Sequence, residues 1–571
     1  MSMSEGKPRS VVRNIVIALV LIAIIAAGAY WYTTSKPRAT ITPTVTEKPT
    51  TKPLETTTVM VTPTPTVEAP TTLVVDKVEE PSSLDPAFCY EFSGWEIVQN
   101  VYQTLVTYDR ADPNKFVGLI AESWTVSDDG KVYTFKLKKN VVFSDGTPLT
   151  AEAVEYSLKR VIVMNQAPSW IISQSLTADS IKVIDDYTVQ LTLEKPNPAF
   201  LATLASATAS IVNPKVVEAH GGVKPDTVNP WMDENVAGSG PFTLKEWVKG
   251  DHLTLIRNEN YWGDKPALKE VVIYYKSDVL TRILDLKKGT AHIAVVDPVH
   301  LDDIKDEPGI VIRDLGPTFH IDFLFFNTQK PPFDNKLVRQ AAAHAINYDA
   351  IKQILRGKGE RYVGPIPKGM FGYDDSVQPY TYDVELAKSL LSKAGHPDGK
   401  GLGTLKFLYY SRDEAVDLMA QQIQSDLAKI GMKIELQSLS LSTYMNNLFL
   451  DPKDPNYPHM GWTEWYPDYA SPDDYAKPLL TWPPGWNPAA YQDKEVANMI
   501  FEAASELDRD KAKQLWSEVI HRVYEDTPYA WLMQYTGYYV YRDNVHGLYY
   551  HPIHIGYSGF DYSTIYLTPS G

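Results

Sequence analysis

Residues 119–160 read LIAESWTVSDDGKVYTFKLKKNVVFSDGTPLTAEAVEYSLKR and contain more structural information than any other part of the chain. Apolar and polar residues alternate in KVYTFKLKK, which predicts a strand with one buried face. The turn signal SDGTP follows this strand. After the turn, Thr150 can cap a helix in which Val154, Leu158 and Val161 share one face. This run therefore predicts mixed α and β structure.

Later segments repeat the same combination of elements. The pattern predicts a helix over residues 383–394, with Leu386, Leu390 and Leu391 facing inward. A second helix is predicted over residues 415–430, and an alternating apolar strand follows it directly. Helices that are closely linked to strands favour α/β lobes.

Composition and charge exclude some classes of protein. The 571 residues include 70 acidic and 54 basic side chains, so the formal net charge is −16. This balance argues against a nucleic-acid partner, because phosphate contacts require lysine and arginine. The single cysteine, Cys89, excludes an internal disulfide and a cysteine-cluster metal site, and we expect it to be buried by packing.

The sequence lacks the short motifs of common catalytic sites. It contains no HExxH, no GxSxG, no Walker loop and no GxGxxG that opens a helix. His546, His551 and His554 cluster near the C-terminus, where we favour packing over metal binding. The sequence therefore predicts a protein that is not an enzyme and uses no cofactor or metal.

The N-terminal segment predicts a membrane anchor. Residues 14–35 carry no charge and, at ~1.5 Å per residue, would span about 33 Å as a helix. Residues 1–13 contain three basic side chains, which indicates a cytoplasmic tip and places the body on the extracellular side of the cell membrane. The alternative is a signal peptide cleaved near Ala27-Gly28-Ala29.

Residues 36–72 are rich in Thr and Pro, as in ITPTVTEKPTTKP and VTPTPTVEAPTT. Such a composition cannot bury enough apolar surface to fold, so it predicts a disordered stalk, stiffened by proline. Thr/Pro-rich stalks are also typical sites of O-glycosylation. The stalk, considered alone, would also suit a surface adhesin or another structural protein of the cell envelope.

Several long motifs give a family resemblance. These are the run at 119–160, SLDPA at 83–87, AGSGPFTLKEWVKG from residue 237 and WYPDYASP from residue 465. Together, and in this order, they resemble the family 5 extracellular solute-binding proteins, which are the peptide- and nickel-type receptors of ABC importers. The resemblance extends from about residue 73 to the C-terminus, with Ser239 and Phe242 in place of the usual Thr and Tyr.

The resemblance implies a two-lobe, periplasmic-binding-protein-like (Venus flytrap) α/β fold with an extra inserted domain. Lobe I would comprise residues 73–107, 235–326 and 530–571; the inserted domain, residues 108–234; and lobe II, residues 327–529. The chain would cross between the lobes near residues 323–327 and 529–535, which are continuous apolar-aromatic runs.

The resemblance also implies a function. We expect a monomeric receptor that captures a di- or oligopeptide between its lobes and delivers it to an ABC permease with cytoplasmic ATPase subunits. An oligosaccharide is an alternative ligand, because tryptophan faces stack well on pyranose rings. A nickel-binding receptor is a further alternative.

Two segments supply the expected ligand contacts. In peptide-binding relatives the Asp of the DY pair meets the ligand's α-ammonium, and Asp468 occupies that place. The alternative role for Asp468 is to order its own loop by bonding nearby backbone amides. About half of the neighbouring rings, with Trp482 and Trp486 beyond them, are expected to pack against the lobe core. The candidate contacts are Phe88, Tyr90, Glu91, Trp462, Trp465, Tyr466, Asp468 and Tyr469.

We expect the mature protein to keep residues 14–35 and to sediment with membranes, because the charge-free span follows basic residues and precedes a stalk. N-terminal sequencing of the membrane fraction tests this expectation. A mature chain that begins at Tyr30 would contradict it.

Overall fold

The computed structural model describes residues 69–110, 112, 115–481, 486–551 and 559–569, all of which belong to the unit Val67–Gly571. The predicted anchor, most of the predicted stalk, Trp482 and His554 lie outside the described residues. Within these described ranges, no helix is both long enough and apolar enough to cross a bilayer.

The strands of the described residues are β1 (Thr72–Lys77), β2 (Val106–Tyr108), β3 (Phe116–Gly118), β4 (Ala121–Val126), β5 (Val132–Leu137), β6 (Ile181–Asp185), β7 (Thr188–Thr192), β8 (Phe242–Val248), β9 (His252–Arg257), β10 (Glu270–Tyr275), β11 (Ile293–Ala294), β12 (Ile310–Phe326), β13 (Gly359–Glu360), β14 (Thr404–Tyr410), β15 (Lys433–Leu439), β16 (Met460–Trp465), β17 (Tyr529–Arg542), β18 (Val545–His546) and β19 (Tyr566–Leu567).

The α-helices are α1 (Phe92–Val101), α2 (Ala151–Met164), α3 (Trp170–Ser173), α4 (Phe200–Leu204), α5 (Pro214–Ala219), α6 (Val279–Lys288), α7 (Lys336–Ala345), α8 (Tyr348–Ile354), α9 (Val384–Lys393), α10 (Glu414–Ala428), α11 (Leu441–Leu448), α12 (Pro472–Leu480), α13 (Lys494–Ser505) and α14 (Arg509–Asp526).

One sheet joins two lobes. Its strand order is β15-β14-β16-β12-β17-β11-β1-β10-β9-β8, and β13 also pairs with β17. We call the lobe that contains β1 and β8–β11 lobe I, and the lobe that contains β14–β16 lobe II. A separate four-stranded sheet, β4-β5-β7-β6, lies in the chain between β1 and β8.

The two long strands β12 and β17 pass from one lobe to the other. They pair antiparallel from Ile310 opposite Arg542 to Phe325 opposite Tyr529. Their register shifts at three places, between Asp314 and Gly316, between Pro317 and Ile321 and between Asp322 and Phe323, and the interruption from Pro317 to Ile321 is the longest. The apolar runs at 323–327 and 529–535, which the sequence predicts to carry the crossing, lie on the lobe II side of this interruption and are buried there.

The structure confirms most of the predicted elements and corrects one helix face. Strand β5 buries Tyr133, Phe135 and Leu137. Thr150 stands at the N-cap position of α2, but its side chain makes no capping hydrogen bond. In α9, however, Leu386 is 37% exposed. The buried face of α9 is formed by Ala387 and Leu391, and Leu390 packs against the same core at the edge of that face. Leu386 lies one turn earlier on that edge, in the first turn of the helix, and is left exposed. The inward placement predicted for Leu386 is therefore wrong.

A buried ion pair explains why two of the sequence motifs occur together. Arg160, at the end of the 119–160 run, donates from Nη1 and Nη2 to the two carboxylate oxygens of Asp85 at 2.6 and 2.5 Å. Both side chains are at most 1% exposed. Asp85 Oδ1 also accepts the backbone amide of Ala87 at 2.9 Å. The SLDPA loop is thereby attached to helix α2.

Replacing Asp85 with Asn should lower the free energy of unfolding by about 3–5 kcal/mol, because the Arg160 guanidinium would remain buried without its counter-charge. Urea denaturation measures the change. The control is Glu155→Ala, which removes a partly exposed i,i+4 pair with Lys159 and should cost less than about 1 kcal/mol. Equal losses in the two variants would contradict the structural role of the buried pair.

Candidate functional site

A cavity of about 1290 Å³ lies where the two lobes and the segment between β1 and β8 meet. This volume exceeds the roughly 300–1,000 Å³ of most small-molecule sites. Its walls come from the residues that follow β1 and begin α1, from α3 and the loop after β7, and from β16, α11, α12 and α13. The cavity is therefore the candidate binding site.

Direct contacts join the walls across this cavity. Tyr90 donates its hydroxyl proton to Asp468 Oδ2 at 2.7 Å and accepts a hydrogen bond from Trp170 Nε1 at 3.0 Å. The rings of Phe92 and Tyr466 approach edge-on, with their centroids 4.2 Å apart. Lobe I and the second half of the chain thus touch around Asp468, which gives the cavity a closed arrangement.

The segment between β1 and β8 contributes a second set of contacts. Gln174 donates to the hydroxyl of Tyr469 at 3.1 Å and accepts from Lys477 Nζ at 2.9 Å. The backbone amide of Ala470 donates to the hydroxyl of Tyr108 at 3.1 Å. The WYPDYASP segment is therefore in contact with both of the other structural parts.

Asp468 lies in an environment that disfavours its charge. Burial raises the pKa of its carboxyl to about 7, while the hydrogen bond from Tyr90 acts in the opposite direction. Its backbone amide donates to Asp474 Oδ2 at 3.0 Å, and the pKa of Asp474 is raised well above its usual range by burial and then by the carboxylates of Asp468 and Asp473. Because burial is the main cause of both shifts, a cationic group in the cavity would stabilise the ionised form of this pair.

The hydrogen bond that the Asp468 carboxylate accepts comes from Tyr90, on the opposite wall, rather than from an amide of its own loop. The loop itself is held by Asp474, which accepts the Asp468 amide. This division of roles leaves Asp468 directed toward the cavity, where it is half-buried.

A second polar cluster lies beside the register interruption of β12. Glu464 accepts hydrogen bonds from His320 Nε2 at 2.9 Å and from Tyr410 and Arg412. The His320 ring is stacked between the rings of Tyr466 and Tyr535, with centroid separations of 3.9 and 4.1 Å. Because Glu464 and Arg412 also line the cavity, this cluster connects the binding site to the strands that join the lobes.

The two acid–base groups in this cluster have opposite pKa shifts. Burial tends to raise the pKa of Glu464, but the guanidinium of Arg412 and then His320 hold it at about 2. Burial lowers the pKa of His320 to about 4, although the Glu464 carboxylate acts against this change. At neutral pH the carboxylate is therefore ionised, the imidazole is neutral, and Arg412 provides the counter-charge.

The structure brings some of the predicted contacts to the cavity. The predicted contacts that line it are Tyr90, Glu91, Trp465, Tyr466 and Asp468. Trp486, which was expected only as a more distant ring, lines it as well. The carboxylate of Glu91 accepts hydrogen bonds from the backbone amides of Ser82 and Tyr90, at 2.8 and 3.1 Å. Glu91 therefore shapes its own loop at the edge of the cavity.

The other predicted contacts lie behind this surface. Trp462 is 1% exposed and donates from Nε1 to Asp322 at 3.2 Å, while Tyr469 is fully buried. Neither ring is in the cavity lining, and nor is Phe88. Period-two alternation does not explain this, because Trp462 and Glu464 share one side of β16 and Glu464 lines the cavity as Trp465 does. Trp462 is covered because its ring packs in the core of lobe II.

Sequence reasoning missed several lining residues. Glu79 follows β1 and is exposed in the cavity, and within the described ranges its carboxylate makes no hydrogen bond or ion pair. The cavity walls partly desolvate this carboxyl and so raise its pKa, as do the nearby Glu464 and Glu91, while Arg412 acts in the opposite direction. Arg412, a second missed residue, follows β14 in the sequence YYSRD. A single arginine directly after an aromatic strand was the sequence signal that could have identified it.

The remaining candidates from the sequence have packing roles. Cys89 is buried, as predicted, and burial raises its thiol pKa. His551 is buried beside Tyr108, and His546 contacts the Thr568 hydroxyl at 3.1 Å. In the part of the chain that the structure describes, no group of three or more His, Cys, Asp or Glu side chains is arranged to hold a metal ion.

Comparison with known proteins gives consistent matches. The family model "Bacterial extracellular solute-binding proteins, family 5 Middle" matches residues 115–487. A "probable D,D-dipeptide-binding periplasmic protein" of Escherichia coli strain K12 is 33% identical over 81% of this chain and 88% of that protein. A dipeptide-binding protein of the same strain is 30% identical over 75% of this chain and 82% of that protein.

A solved structure shows the same architecture. The ABC transporter-associated periplasmic binding protein DppA from Helicobacter pylori, in complex with the peptide STSA, is 27% identical and superposes with a TM-score of 0.75. The match covers 87% of this chain and 98% of that one. The predicted two-lobe α/β fold of periplasmic binding proteins is thereby confirmed.

The buried His320 should make the protein sensitive to acid. Between pH 6.5 and about 4 an unfolded chain binds a proton at this histidine while the folded protein does not, so stability falls as the pH falls. The loss should approach roughly 3 kcal/mol at the lower limit. Urea denaturation at several pH values should show a smaller acid-induced loss in His320→Gln. His521→Gln, at a side chain that is 56% exposed, is the control. An unchanged pH dependence in His320→Gln would contradict the assignment.

Proposed function

The chain belongs to the bacterial extracellular solute-binding proteins of family 5, and we propose that it captures a di- or oligopeptide in its cavity and delivers it to the permease of an ABC importer. Two of the matched relatives are named for dipeptides, and the superposed structure holds the peptide STSA. In the chain itself, the main support is the half-buried carboxyl of Asp468, with its raised pKa, between the closed walls.

The physical basis of capture is charge pairing in a site that excludes water. The α-ammonium of a peptide would favour ionised Asp468 and offset the repulsion from Asp474. The rings of Phe92, Trp465 and Tyr466 surround the position and weaken dielectric screening of the pair. Arg412 is the candidate partner for the peptide's carboxylate. It would bind that group while it keeps its hydrogen bond to Glu464.

The mechanism requires movement of the lobes but no chemical step. The interrupted pairing between β12 and β17 is the natural position for bending, since register breaks are points where a sheet bends and changes its twist. The contacts of Tyr90 with Asp468 and of Phe92 with Tyr466 would form on closure. We propose that the ligand is released unchanged, so the protein acts as a receptor and not as an enzyme.

The proposal includes the placement of the protein at the cell surface. Family 5 receptors act outside the cytoplasm, and residues 14–35 would hold this one in the membrane through the 36–72 stalk. Its partners would be the permease and, through it, the cytoplasmic ATPase subunits. We retain the division into lobe I (73–107, 235–326 and 530–571), an inserted domain (108–234) and lobe II (327–529). The separate β4–β7 sheet supports the inserted domain, whereas residues 323–326 and 530–535, at the edges of lobe I, pack in the cores of lobe II.

One observation favours a second ligand class. The rings of Trp465 and Trp486 are half-buried and line the cavity, and such rings can stack on sugars. An oligosaccharide receptor with the same fold is therefore the competing function. A sugar offers no ammonium group, so the contribution of Asp468 distinguishes the two functions.

The test is calorimetry on wild type and Asp468→Ala, each with a free and an N-acetylated peptide. Removing one partner of a buried ion pair costs ~3–5 kcal/mol, so the variant should bind the free peptide roughly 100-fold or more weakly. Acetylation should weaken wild type similarly and hardly affect the variant, because both changes remove one interaction.

The control is Asp128→Ala, an exposed acid outside the cavity lining, which should bind like wild type. If the loss of affinity caused by Asp468→Ala and the loss caused by N-acetylation simply add, Asp468 does not bind the ammonium. Binding of oligosaccharides alone would establish the competing function.

A further inference from the structure

One wall of the cavity is apolar and open. Leu441, Met445 and Phe449 follow one another at intervals of four along α11 and its C-cap, so they lie on one face of that helix. All three line the cavity. Leu441 is 47% exposed and Phe449 is 67% exposed, which is unusual for large apolar side chains within an enclosed site.

A second helix adds to this wall. Phe501 and Ala504 are three residues apart on α13, and both line the cavity. Phe501 is 54% exposed. Trp486 lies against the first helix face, with its ring centroid 6.0 Å from that of Phe449. We call the side chains of Leu441, Met445, Phe449, Trp486 and Phe501 the apolar wall.

The apolar wall differs from the rest of the cavity in its chemistry. Carboxylates line the region where the lobes touch, including Glu79, Glu464 and Asp468. Exposed apolar patches on soluble proteins commonly mark binding surfaces. In a volume of about 1290 Å³, which would otherwise hold roughly 40 waters at ~30 Å³ each, an apolar group that covers this wall would release water from it.

We propose that the apolar wall receives a bulky apolar side chain of the bound peptide, at a position after its first residue. The preferred ligand is then a peptide of three or more residues that combines a free N-terminus with a distal Phe, Leu or similar side chain. This inference rests on the proposed function. In this arrangement the peptide's ammonium lies among the carboxylates, and its apolar side chain lies against α11 and α13. Each part of the ligand then meets a cavity region of complementary chemistry. The size of the cavity supports a ligand longer than a dipeptide.

The test compares four peptides by calorimetry: Ala-Ala, Ala-Ala-Ala, Ala-Ala-Phe and Phe-Ala-Ala. Wild type should bind Ala-Ala-Phe about 10- to 100-fold more tightly than Ala-Ala-Ala, as expected for burial of one phenyl side chain. The double variant Phe449→Ala/Phe501→Ala should lose most of this difference and keep its affinity for Ala-Ala-Ala. Both residues are exposed, so these substitutions leave the core intact.

The matched control is Leu280→Ala, at a side chain that is 59% exposed on α6 and outside the cavity lining. This variant should retain the full preference for Ala-Ala-Phe. The affinity for Phe-Ala-Ala should be the same in wild type and the double variant, because its phenyl group would lie near Asp468.

Three results would overturn the inference. These are equal binding of Ala-Ala-Phe and Ala-Ala-Ala by wild type, an undiminished preference in the double variant, and a loss confined to Phe-Ala-Ala. In each of these cases peptides still bind, and the proposed function stands. Failure of wild type to bind any of the four peptides would instead overturn the proposed function together with the inference.

Discussion

The antiparallel pairing of β12 with β17 is the constraint on which the rest of the structure depends. These two strands carry main-chain hydrogen bonding from one lobe into the other, and all the lobe II strands reach the common sheet through them. In lobe II both strands are buried on both faces, because helices cover each side of the sheet. The longest of their register interruptions lies between Pro317 and Ile321, so the main-chain pairing is least regular there.

The polar groups beside this point connect the sheet to the cavity. His320 follows the register interruption directly, and its ring is held between Tyr466 and Tyr535 while its Nε2 contacts Glu464. Tyr466 belongs to the same segment as Asp468. Packed rings and a charged hydrogen-bond network therefore connect β12 and β17 to the segment that contains Asp468.

The cavity contains two electrostatic regions with different states. Around Glu464 the negative charge is balanced by Arg412, so the carboxylate remains ionised. Around Asp468 and Asp474 burial acts without a matching cation, and their pKa values rise. The first region has an internal counter-charge in Arg412, whereas the second would gain a cation from the ligand that we propose. This difference gives a physical reason for ligand-dependent closure, because a cation at Asp468 stabilises the closed walls that surround it.

The local elements of this protein follow from its sequence, because they depend on short-range periodicity. The alternation in KVYTFKLKK was sufficient to predict β5 and its buried face, and the ordered motifs were sufficient to predict the two-lobe fold. The position of Leu386 was not predictable, because it lies at the margin of a helix face whose neighbours are distant in the chain.

The binding segment could be located from its aromatic and acidic residues, but only the tertiary structure decides which of them reach the cavity. Trp462 and Trp465 are three residues apart and chemically alike, yet the Trp462 ring is buried in the core of lobe II while Trp465 lines the cavity. The partnership of Tyr90 with Asp468 joins positions 378 residues apart. The apolar wall likewise arises from two helices and a loop. Such contacts depend on how the lobes pack and close, which no local pattern of residues specifies.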